Sequence, residues 1–477
     1  MKKHQQVFNP FLPQYEYIPD GEPHIFGERV YLYGSHDRFG GNAYCMNDYV
    51  CYSADVHNLA EWRQEGIIYH KGDDPRNPEA THCLWAPDVI RGQDGRYYLY
   101  YCFDTLPEIG VAVSDTPAGL YQYLGLVHYP DLTVLGRREG DYIQFDPGVF
   151  IEDDGEIYLY SGNAPRTMED TARKNSQVMR LEKDMLTIKA GPYELLPAIR
   201  NSKGTGFEGH EFFEASSIRK INGKYYLVYS DINSYSLCYA ISDKPDQGYR
   251  YGGILISLGD IGYGNRSVPQ ARNALGNIHG GMEYINGQWY IFYHRQTNRT
   301  QYSRQACAEK ITILPDGKIK QAEMTSCGLN NSPLNGFGEY MAAIACNLWA
   351  ADGGVFSSPT RMDDRYPYFT QDGQDTEEDA NQYIANIRDG AVAGYKYFDF
   401  QDLHMISITV RGNGQGKFII ATEENGDVRG EITISINSAD WIKFDTLINI
   451  RNGVSALFFK YFGVGSLDFL KFELLSN

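Results

Sequence analysis

The stretch that decides the fold is residues 12–37, LPQYEYIPDGEPHIFGERVYLYGSHD. It places a single acid, Asp20, in a loop between Pro19 and Gly21, and an apolar run follows. A turn containing Gly27 then leads into Tyr-Leu-Tyr. Alternating apolar residues on both sides of a tight turn predict a β-hairpin. An isolated aspartate in such a loop is usually a turn former, but this pattern recurs along the chain, and two of its later copies also follow an acid.

The hairpin pattern occurs five times. Its copies are residues 23–37, 87–104, 147–163, 216–231 and 280–296. A second apolar hairpin follows each copy, at residues 49–62, 109–123, 177–188, 236–251 and 306–319. Two hairpins make a four-stranded unit, and a regular series of such units is typical of a β-propeller. We therefore predict an all-β chain that begins with a five-bladed propeller over residues 1–325.

The remainder of the chain has a different pattern. Residues 326–340 are rich in Gly, Asn, Ser and Pro and are predicted to be a linker. Short alternating apolar runs follow, among them 404–412, 416–424 and 430–438, and as separate strands they predict a β-sandwich over residues 341–477. The length of 477 residues suits two domains.

The amino-acid composition argues against several classes of binding partner and indicates a cellular location. The net charge of −18 makes nucleic acid and anionic membranes poor partners, and no stretch is long and apolar enough to cross a membrane. The first residues, MKKHQQVFNPFLPQ, contain no apolar signal core, so we expect a cytoplasmic protein. Its eight cysteines form no C-x-x-C pair, which predicts reduced thiols rather than a disulfide framework or a zinc site. The sequence does not reveal the oligomeric state.

Three carboxylates stand at equivalent places, just before the first strand of three units. They are Asp20, Asp146 and Glu214, ahead of copies one, three and four. Because the innermost strands of a propeller surround its axis, we expect these three side chains to converge. Copy two has Trp85 at this place, whose flat ring suits stacking on a sugar, and copy five has His279.

Converging acids without a Cys/His cluster indicate hydrolysis of a glycosidic bond. One carboxylic acid protonates the leaving oxygen, and a carboxylate acts on the opposite face of the sugar. A separation of roughly 6.5–9.5 Å leaves room for water and gives inversion, whereas roughly 5–5.5 Å gives retention. A third carboxylate, together with burial against Phe212 and Phe213, would raise the pKa of the acid.

Five short motifs carry a resemblance to a known family. They are PDGEP at 19–23, WAPD at 85–88, FDP at 145–147, FEA at 213–215 and HGG at 279–281. Together they resemble glycoside hydrolase family 43 over about residues 8–325. The resemblance implies an inverting exo-glycosidase acting on plant-wall oligosaccharides, as an α-L-arabinofuranosidase, a β-xylosidase or both. Carried over by motif, Asp20 is the general base, Glu214 the general acid, and Asp146 raises the pKa of the acid and orients it.

The same resemblance implies further contacts. His279 would lie near the propeller axis and help to hold a calcium ion through waters, and Arg295 would bond a sugar hydroxyl in the pocket. No organic cofactor is implied. The C-terminal part resembles a family 6 carbohydrate-binding module, on the motif GVGSLDF at 463–469.

Two other functions remain open on the sequence. An endo-acting arabinanase would use the same scaffold with an open groove, although the insertions at 38–48 and 163–176 would wall off one end. A non-catalytic carbohydrate-binding propeller would need no protonated acid. The preference between arabinose and xylose, and sugar binding by the sandwich, are not predicted.

Overall fold

The computed structural model of the chain describes residues 5–171 and 173–476. Within these ranges the regular structure is β-strands and five short 3-10 helices, at Lys71–Asp73, Leu258–Asp260, Tyr263–Asn265, Val268–Gln270 and Ala342–Ile344. None of the helices in the described ranges has the length and apolar character needed to span a membrane.

The first twenty strands form five sheets of four strands, each built from consecutive antiparallel strands. Blade one contains β1 Glu22–Phe26, β2 Arg29–Tyr33, β3 Tyr49–Asp55 and β4 Asn58–Tyr69. Blade two contains β5 Leu84–Arg91, β6 Tyr97–Phe103, β7 Ile109–Ser114 and β8 Gln122–Leu126. Blade three contains β9 Gly148–Ile151, β10 Ile157–Gly162, β11 Ser176–Leu181 and β12 Ile188–Glu194. Blade four contains β13 Phe212–Ile221, β14 Lys224–Asp231, β15 Ser236–Ser242 and β16 Arg250–Ser257. Blade five contains β17 Met282–Ile285, β18 Gln288–Gln296, β19 Arg304–Ile313 and β20 Ile319–Lys320. The all-β, five-bladed prediction is confirmed.

The ring closes between the first and fifth blades. Gly21, just before β1, forms a parallel bridge with Gly280, just before β17. The N-terminal segment adds to this seam, because the Asn9 side-chain amide donates to the Ala308 carbonyl at 2.9 Å. A Cβ on Gly280 would lie 1.9 Å from the Phe292 carbonyl oxygen, so only glycine fits this close approach. The seam therefore brings the loops of Asp20 and His279 side by side at the axis.

The last nine strands form one further sheet, the sixth. They are β21 Leu334–Asn335, β22 Gly338–Met341, β23 Asn347–Trp349, β24 Tyr368–Gln371, β25 Gln382–Ile387, β26 Val392–Phe400, β27 Leu403–Ala421, β28 Val428–Leu447 and β29 Gly453–Ser476. Buried aliphatic and aromatic side chains from these strands form one core. Because β21 pairs with β26 and β22 pairs with β29, the end of the stretch predicted as a linker belongs to this sheet.

The two parts of the chain are joined by buried polar contacts as well as apolar ones. Lys396 of β26 approaches Asp260 at 3.2 Å, and both side chains are almost fully buried. Glu424, after β27, pairs with Arg266 and Arg272 of the propeller. The C-terminal part is therefore docked through specific ion pairs, and its placement against the propeller has consequences for the site described next.

Candidate active site

One cavity of about 390 Å³ collects the residues that the sequence singled out. Its size is that of a small-molecule site. It is lined by residues from all five blades: Asp20, Tyr44, Cys45, Trp85, Ala86, Phe145, Asp146, Asn163, Arg166, Arg173, Phe213, Glu214, Asn277, His279, Gln301 and Arg304. The predicted convergence of Asp20, Asp146 and Glu214 is therefore observed.

Unusual backbone conformations aim the three acids into the cavity. Asp20 has a φ of 59° and Asp146 a φ of 46°, both in the left-handed region that aspartate adopts more readily than most residues. Glu214 lies in β13 at an irregularity in its pairing with β14, and the next residue, Ala215, has a φ of 75°. A bulge re-aims a side chain locally, and strained backbone of this kind is concentrated at functional sites.

Asp20 is held in its charged form. The Arg304 guanidinium lies 3.0 Å from its carboxylate, through Nη1 and Oδ1. Burial alone would raise the pKa of Asp20, but the positive charges of Arg304 and His279 outweigh it, so the pKa falls below its ordinary value. Arg304 is itself fixed by Asp37, which accepts from Nε at 2.8 Å and from Nη2 at 2.9 Å. The geometry therefore keeps an ionised carboxylate at this wall of the cavity.

His294 is a neutral imidazole that fixes the loop of Asp20. Its Nδ1 accepts the Asp20 backbone N–H at 3.2 Å, so its Nε2 is the nitrogen that carries hydrogen and donates to the Asn277 carbonyl at 2.8 Å. Burial and the charge of Arg304 lower the pKa of His294 to about 3, which agrees with this tautomer. The side chain is fully buried and lies behind the cavity wall.

Glu214 has the opposite preference. Burial, followed by the negative charge of Asp146, raises its pKa to about 8, so the carboxylic acid is mainly protonated at neutral pH. Asn163 donates to Glu214 Oε2 at 3.0 Å and orients the group. Burial also raises the pKa of Asp146, although His279 Nδ1 lies 3.5 Å from its carboxylate. The cavity thus holds one acid that favours the charged form and one that favours the neutral form.

Aromatic side chains form one wall of the cavity. Trp85 makes edge contacts with Phe145, at 5.1 Å between ring centroids, and with Tyr44, at 5.9 Å. Its indole N–H is buried and donates no hydrogen bond to a described residue. Trp85 lies where the sequence predicted it, and it presents a flat apolar surface with an unused donor, which suits a sugar ring.

The prediction for Arg295 is wrong. Arg295 does not line the cavity, because it points toward the C-terminal part. There its Nη1 donates to the Ala345 carbonyl at 3.0 Å, and its guanidinium lies 3.8 Å from the ring centroid of Phe369. Successive residues of a strand face opposite sides, so Arg295 of β18 turns away from the site while His294 supports it. On the neighbouring strand β19, Arg304 does line the cavity.

Sequence reasoning also missed two groups of cavity residues. Tyr44 and Cys45 come from the loop between β2 and β3, and Arg166 and Arg173 come from the loop after β10. These loops were recognised as insertions, but residues in irregular segments follow no periodicity that would show which of them face inward. The interruption of the hairpin spacing was the only available signal.

The surroundings of His279 suit a cation held through waters. Burial would lower the pKa of His279, but the carboxylates of Asp146, Asp20 and Glu22 raise it to about 9, so the imidazolium carries positive charge at this place and a bound cation would replace its proton. Calcium takes six to eight oxygen ligands, and one imidazole with distant carboxylates supplies few of them directly. The donor set therefore fits a largely hydrated ion beside His279 rather than a cage made by the protein.

Glu22 does not line the cavity, and its carboxylate is paired with an arginine side chain. Its carboxylate lies 2.8 Å from Arg219 and accepts the Ser217 hydroxyl at 2.9 Å. His24 and Asp88 make a second buried pair there, at 2.7 Å. This paired cluster supports the inner strands and is distinct from the three acids of the cavity.

Comparison with known proteins gives consistent results. The family model described as "Glycosyl hydrolases family 43" matches residues 9–319. The chain is 50% identical over 478 residues to a xylosidase/arabinosidase of Thermoclostridium stercorarium, covering 99% of this chain and 100% of that relative.

Two solved structures are also similar. One is a family 43 β-xylosidase/α-arabinofuranosidase from a compost microbial metagenome, in complex with xylotriose and in a calcium-free form. It is 26% identical with a TM-score of 0.51, over 65% of this chain and 96% of that one. The other is a family 43 arabinoxylan arabinofuranohydrolase from Bacillus subtilis in complex with cellotetraose. It is 20% identical with a TM-score of 0.53, over 98% of this chain and 97% of that one, and this likeness concerns the fold.

Proposed function

The chain belongs to glycosyl hydrolase family 43, and we propose that it is an inverting exo-glycosidase. Its products are α-L-arabinofuranose, β-D-xylose or both, released as single sugars from oligosaccharides derived from arabinoxylan and xylan. The relative from Thermoclostridium stercorarium, which matches over its whole length, bears the name xylosidase/arabinosidase and supports this choice of substrate.

The observation that carries the proposal is that one cavity holds two carboxyl groups in opposite surroundings, Asp20 beside a guanidinium and Glu214 buried near a second acid. Arg304 favours the charged form of Asp20, and burial with Asp146 favours the neutral form of Glu214. Hydrolysis of a glycoside needs this pair, one group to accept a proton from water and one to donate a proton to the leaving oxygen. A carbohydrate-binding propeller without catalysis has no use for a protonated acid.

The reaction follows from these two roles. Asp20 accepts a proton from a water molecule as the water oxygen forms a bond to the anomeric carbon. Glu214 donates its proton to the glycosidic oxygen as the bond between that oxygen and the anomeric carbon breaks. The water attacks the face opposite the leaving group, so the configuration at the anomeric carbon inverts. Asp146 acts on Glu214 through its charge and needs no contact with the reacting atoms.

The walls of the cavity favour exo action over an endo-acting arabinanase. Tyr44 and Gln301 come from blades one and five, and the Tyr44 hydroxyl donates to Gln301 at 2.7 Å. Arg166 comes from blade three, and its guanidinium lies 4.0 Å from the ring centroid of Phe213 of blade four. A polymer chain passing across the face would need a groove open at both ends, whereas walls of this kind suit one terminal sugar.

Calcium beside His279 is part of the proposal. When bound there, the ion would supply positive charge near Asp146, and His279 would hold it with intervening waters. The cytoplasmic location stays a prediction, which cell fractionation would test. Whether the C-terminal part binds sugar is a separate question for a sugar-binding assay.

Two variants with two kinds of leaving group test the assigned roles. Glu214→Ala should lose nearly all activity on xylobiose and retain much more on 2,4-dinitrophenyl β-D-xyloside, because that leaving group needs no proton. Asp20→Ala should lose activity on both substrates, because both need an activated water. Equal losses on both substrates for Glu214→Ala would contradict its role as the acid. Turnover of xylobiose by Asp20→Ala at the rate of the unchanged enzyme would contradict the role of the base.

A further inference from the structure

A single carboxylate of the C-terminal part, Asp375, reaches a loop that lines the cavity. This loop, residues 34–48, joins β2 to β3 and is called the wall loop below. Asp375 Oδ1 accepts the Phe39 backbone N–H at 2.7 Å, and its Oδ2 accepts the Asn47 side-chain amide at 2.9 Å. Both carboxylate oxygens are therefore used on the wall loop, near its two ends.

The segment that presents Asp375 is itself fixed. It joins β24 to β25, and the Asp372 N–H donates to the Asn381 carbonyl at 2.9 Å, which closes the turn. Gln371 Nε2 donates to the Gln374 carbonyl at 2.9 Å, and Gln371 Oε1 accepts the Tyr17 hydroxyl at 2.5 Å. Asp375 is thus held on a braced turn, so its position constrains the wall loop.

The wall loop passes this constraint to the cavity. Asn47, while bound to Asp375, also donates to the Asp37 carbonyl at 3.1 Å. Asp37 in turn accepts the Cys45 N–H at 3.0 Å, which sets the course of the chain beside Tyr44. The Tyr44 ring lies 4.9 Å from the Arg304 guanidinium and 4.8 Å from the Tyr302 ring. Asp375 is therefore connected to the cavity wall through Asn47 and Asp37.

We infer that Asp375 is a positioning residue for the sugar pocket, and that the C-terminal part completes this pocket by holding the wall loop. The inference rests on the proposed function and deepens it, because it says which contact fixes the wall against which the terminal sugar binds. Asp375 touches no reacting group. Its loss should leave the Arg304–Asp20 pair intact, because Arg304 is held by the Asp37 carboxylate, whereas Asn47 binds the Asp37 backbone carbonyl.

Kinetics of a matched set of variants test the inference. Asp375→Ala and Asn47→Ala should each raise KM for xylobiose by about tenfold or more, while kcat falls much less, because a misplaced wall weakens binding of the sugar. The loss in the double variant should be smaller than the sum of the two single losses, since both single variants remove the contact between Asp375 and Asn47. Asp375→Asn keeps one acceptor for the Phe39 N–H and should fall in between.

Glu424→Ala is the control, because Glu424 also joins the two parts of the chain but touches no cavity residue. It should lower Tm and leave KM within about twofold, since surface-type ion pairs contribute modestly to stability. An equal rise of KM in Glu424→Ala, or an unchanged KM in Asp375→Ala and Asn47→Ala, would overturn the inference.

A binding measurement separates this inference from the proposed function. In the Glu214→Gln background, calorimetry with xylobiose reports the pocket without turnover. Adding Asp375→Ala should weaken binding by about tenfold, in line with the expected KM. If the unchanged enzyme cleaves no xyloside or arabinofuranoside but Glu214→Gln binds xylobiose, the proposed function fails and the binding data still decide the role of Asp375. Absence of binding in the Glu214→Gln background overturns both.

Discussion

The negative charge of Asp146 should set the upper pH limit of catalysis, and Asp146→Asn removes that charge while keeping the shape of the side chain. In the structure, burial and Asp146 together raise the pKa of Glu214 to about 8 from an ordinary value of 4.5. The acid works only when protonated, so activity is present below this pKa and is lost as pH rises through it. Removing the charge should move the loss of activity to lower pH.

The size of the effect follows from the fraction of Glu214 that carries a proton. At pH 7 a group with a pKa of about 8 is roughly 90% protonated, whereas one at its ordinary value would be about 0.3% protonated. A neighbouring carboxylate typically shifts a buried acid by about one to two pH units. The alkaline limb of the pH profile is the range where activity is lost as pH rises. Asp146→Asn should therefore move the midpoint of this limb to between about pH 6 and 7 and lower kcat/KM at pH 7 by roughly two- to tenfold.

The assay is kcat/KM against pH for xylobiose, from pH 4 to 10, because this profile reports groups of the free enzyme. Arg166→Gln tests the direction of the shift. The charge of Arg166 lowers the pKa of Glu214, so its removal should move the alkaline limb to higher pH. An alkaline limb that stays in place in Asp146→Asn, or that moves the same way in both variants, would refute this account of the acid.

Three further outcomes follow from the site. Arg304→Met should lower kcat/KM by about 100-fold or more, because Asp20 loses its cation. The acid limb of the pH profile, where activity is lost as pH falls, should move upward by at least about one pH unit. An acid limb that does not move would contradict this. Trp85→Ala should raise KM for xylobiose by about tenfold without moving either limb, since a stacking face contributes about 0.5–1.5 kcal/mol beyond its buried area, and a shifted limb would show a different role. Calcium at 100 times its Kd would stabilise the folded protein by about 2.7 kcal/mol, so Tm should be higher in calcium than in EDTA. This difference should vanish in His279→Ala. Equal Tm values in the unchanged enzyme would contradict the cation site.

The propeller could be predicted because its physics is local. Each blade opens with a hairpin whose turn and alternating apolar residues are adjacent in sequence, and the regular spacing of these hairpins defines the ring. Asp20, Asp146 and Glu214 could be found for the same reason, since the ring brings equivalent positions to its axis. Once the blades were recognised, the convergence of these acids followed from the topology.

What could not be predicted depends on which face a residue takes or on contacts between distant segments. Arg295 and Arg304 lie close together on paired strands, and only the direction of each side chain assigns one to the docking surface and the other to the cavity. The sequence carries no signal for the contact between Asp375 and the wall loop, because the partners are more than 300 residues apart.

The C-terminal strands illustrate a third limit. The sequence predicted separate strands at 404–412 and 416–424, but the structure has one strand, β27, over Leu403–Ala421. Gly412, Gly414 and Gly416 lie at this junction, where glycine ordinarily weakens a strand. In the structure a Cβ on Gly416 would lie 2.3 Å from the Phe462 carbonyl oxygen, so glycine is required there by the close approach of β29 and does not end the strand.

The measurement that most directly tests the central claim is the anomeric form of the first product. Proton NMR of the xylose released from 4-nitrophenyl β-D-xylopyranoside, which yields one sugar per cleavage, is recorded in the first minutes before the anomers equilibrate and distinguishes the two configurations. Because Asp20 activates water on the face opposite the leaving group, the account predicts that α-xylose appears first from this β-linked substrate. If β-xylose appears first, a covalent intermediate has formed on a carboxylate, and the assignment of Asp20 as a base is contradicted.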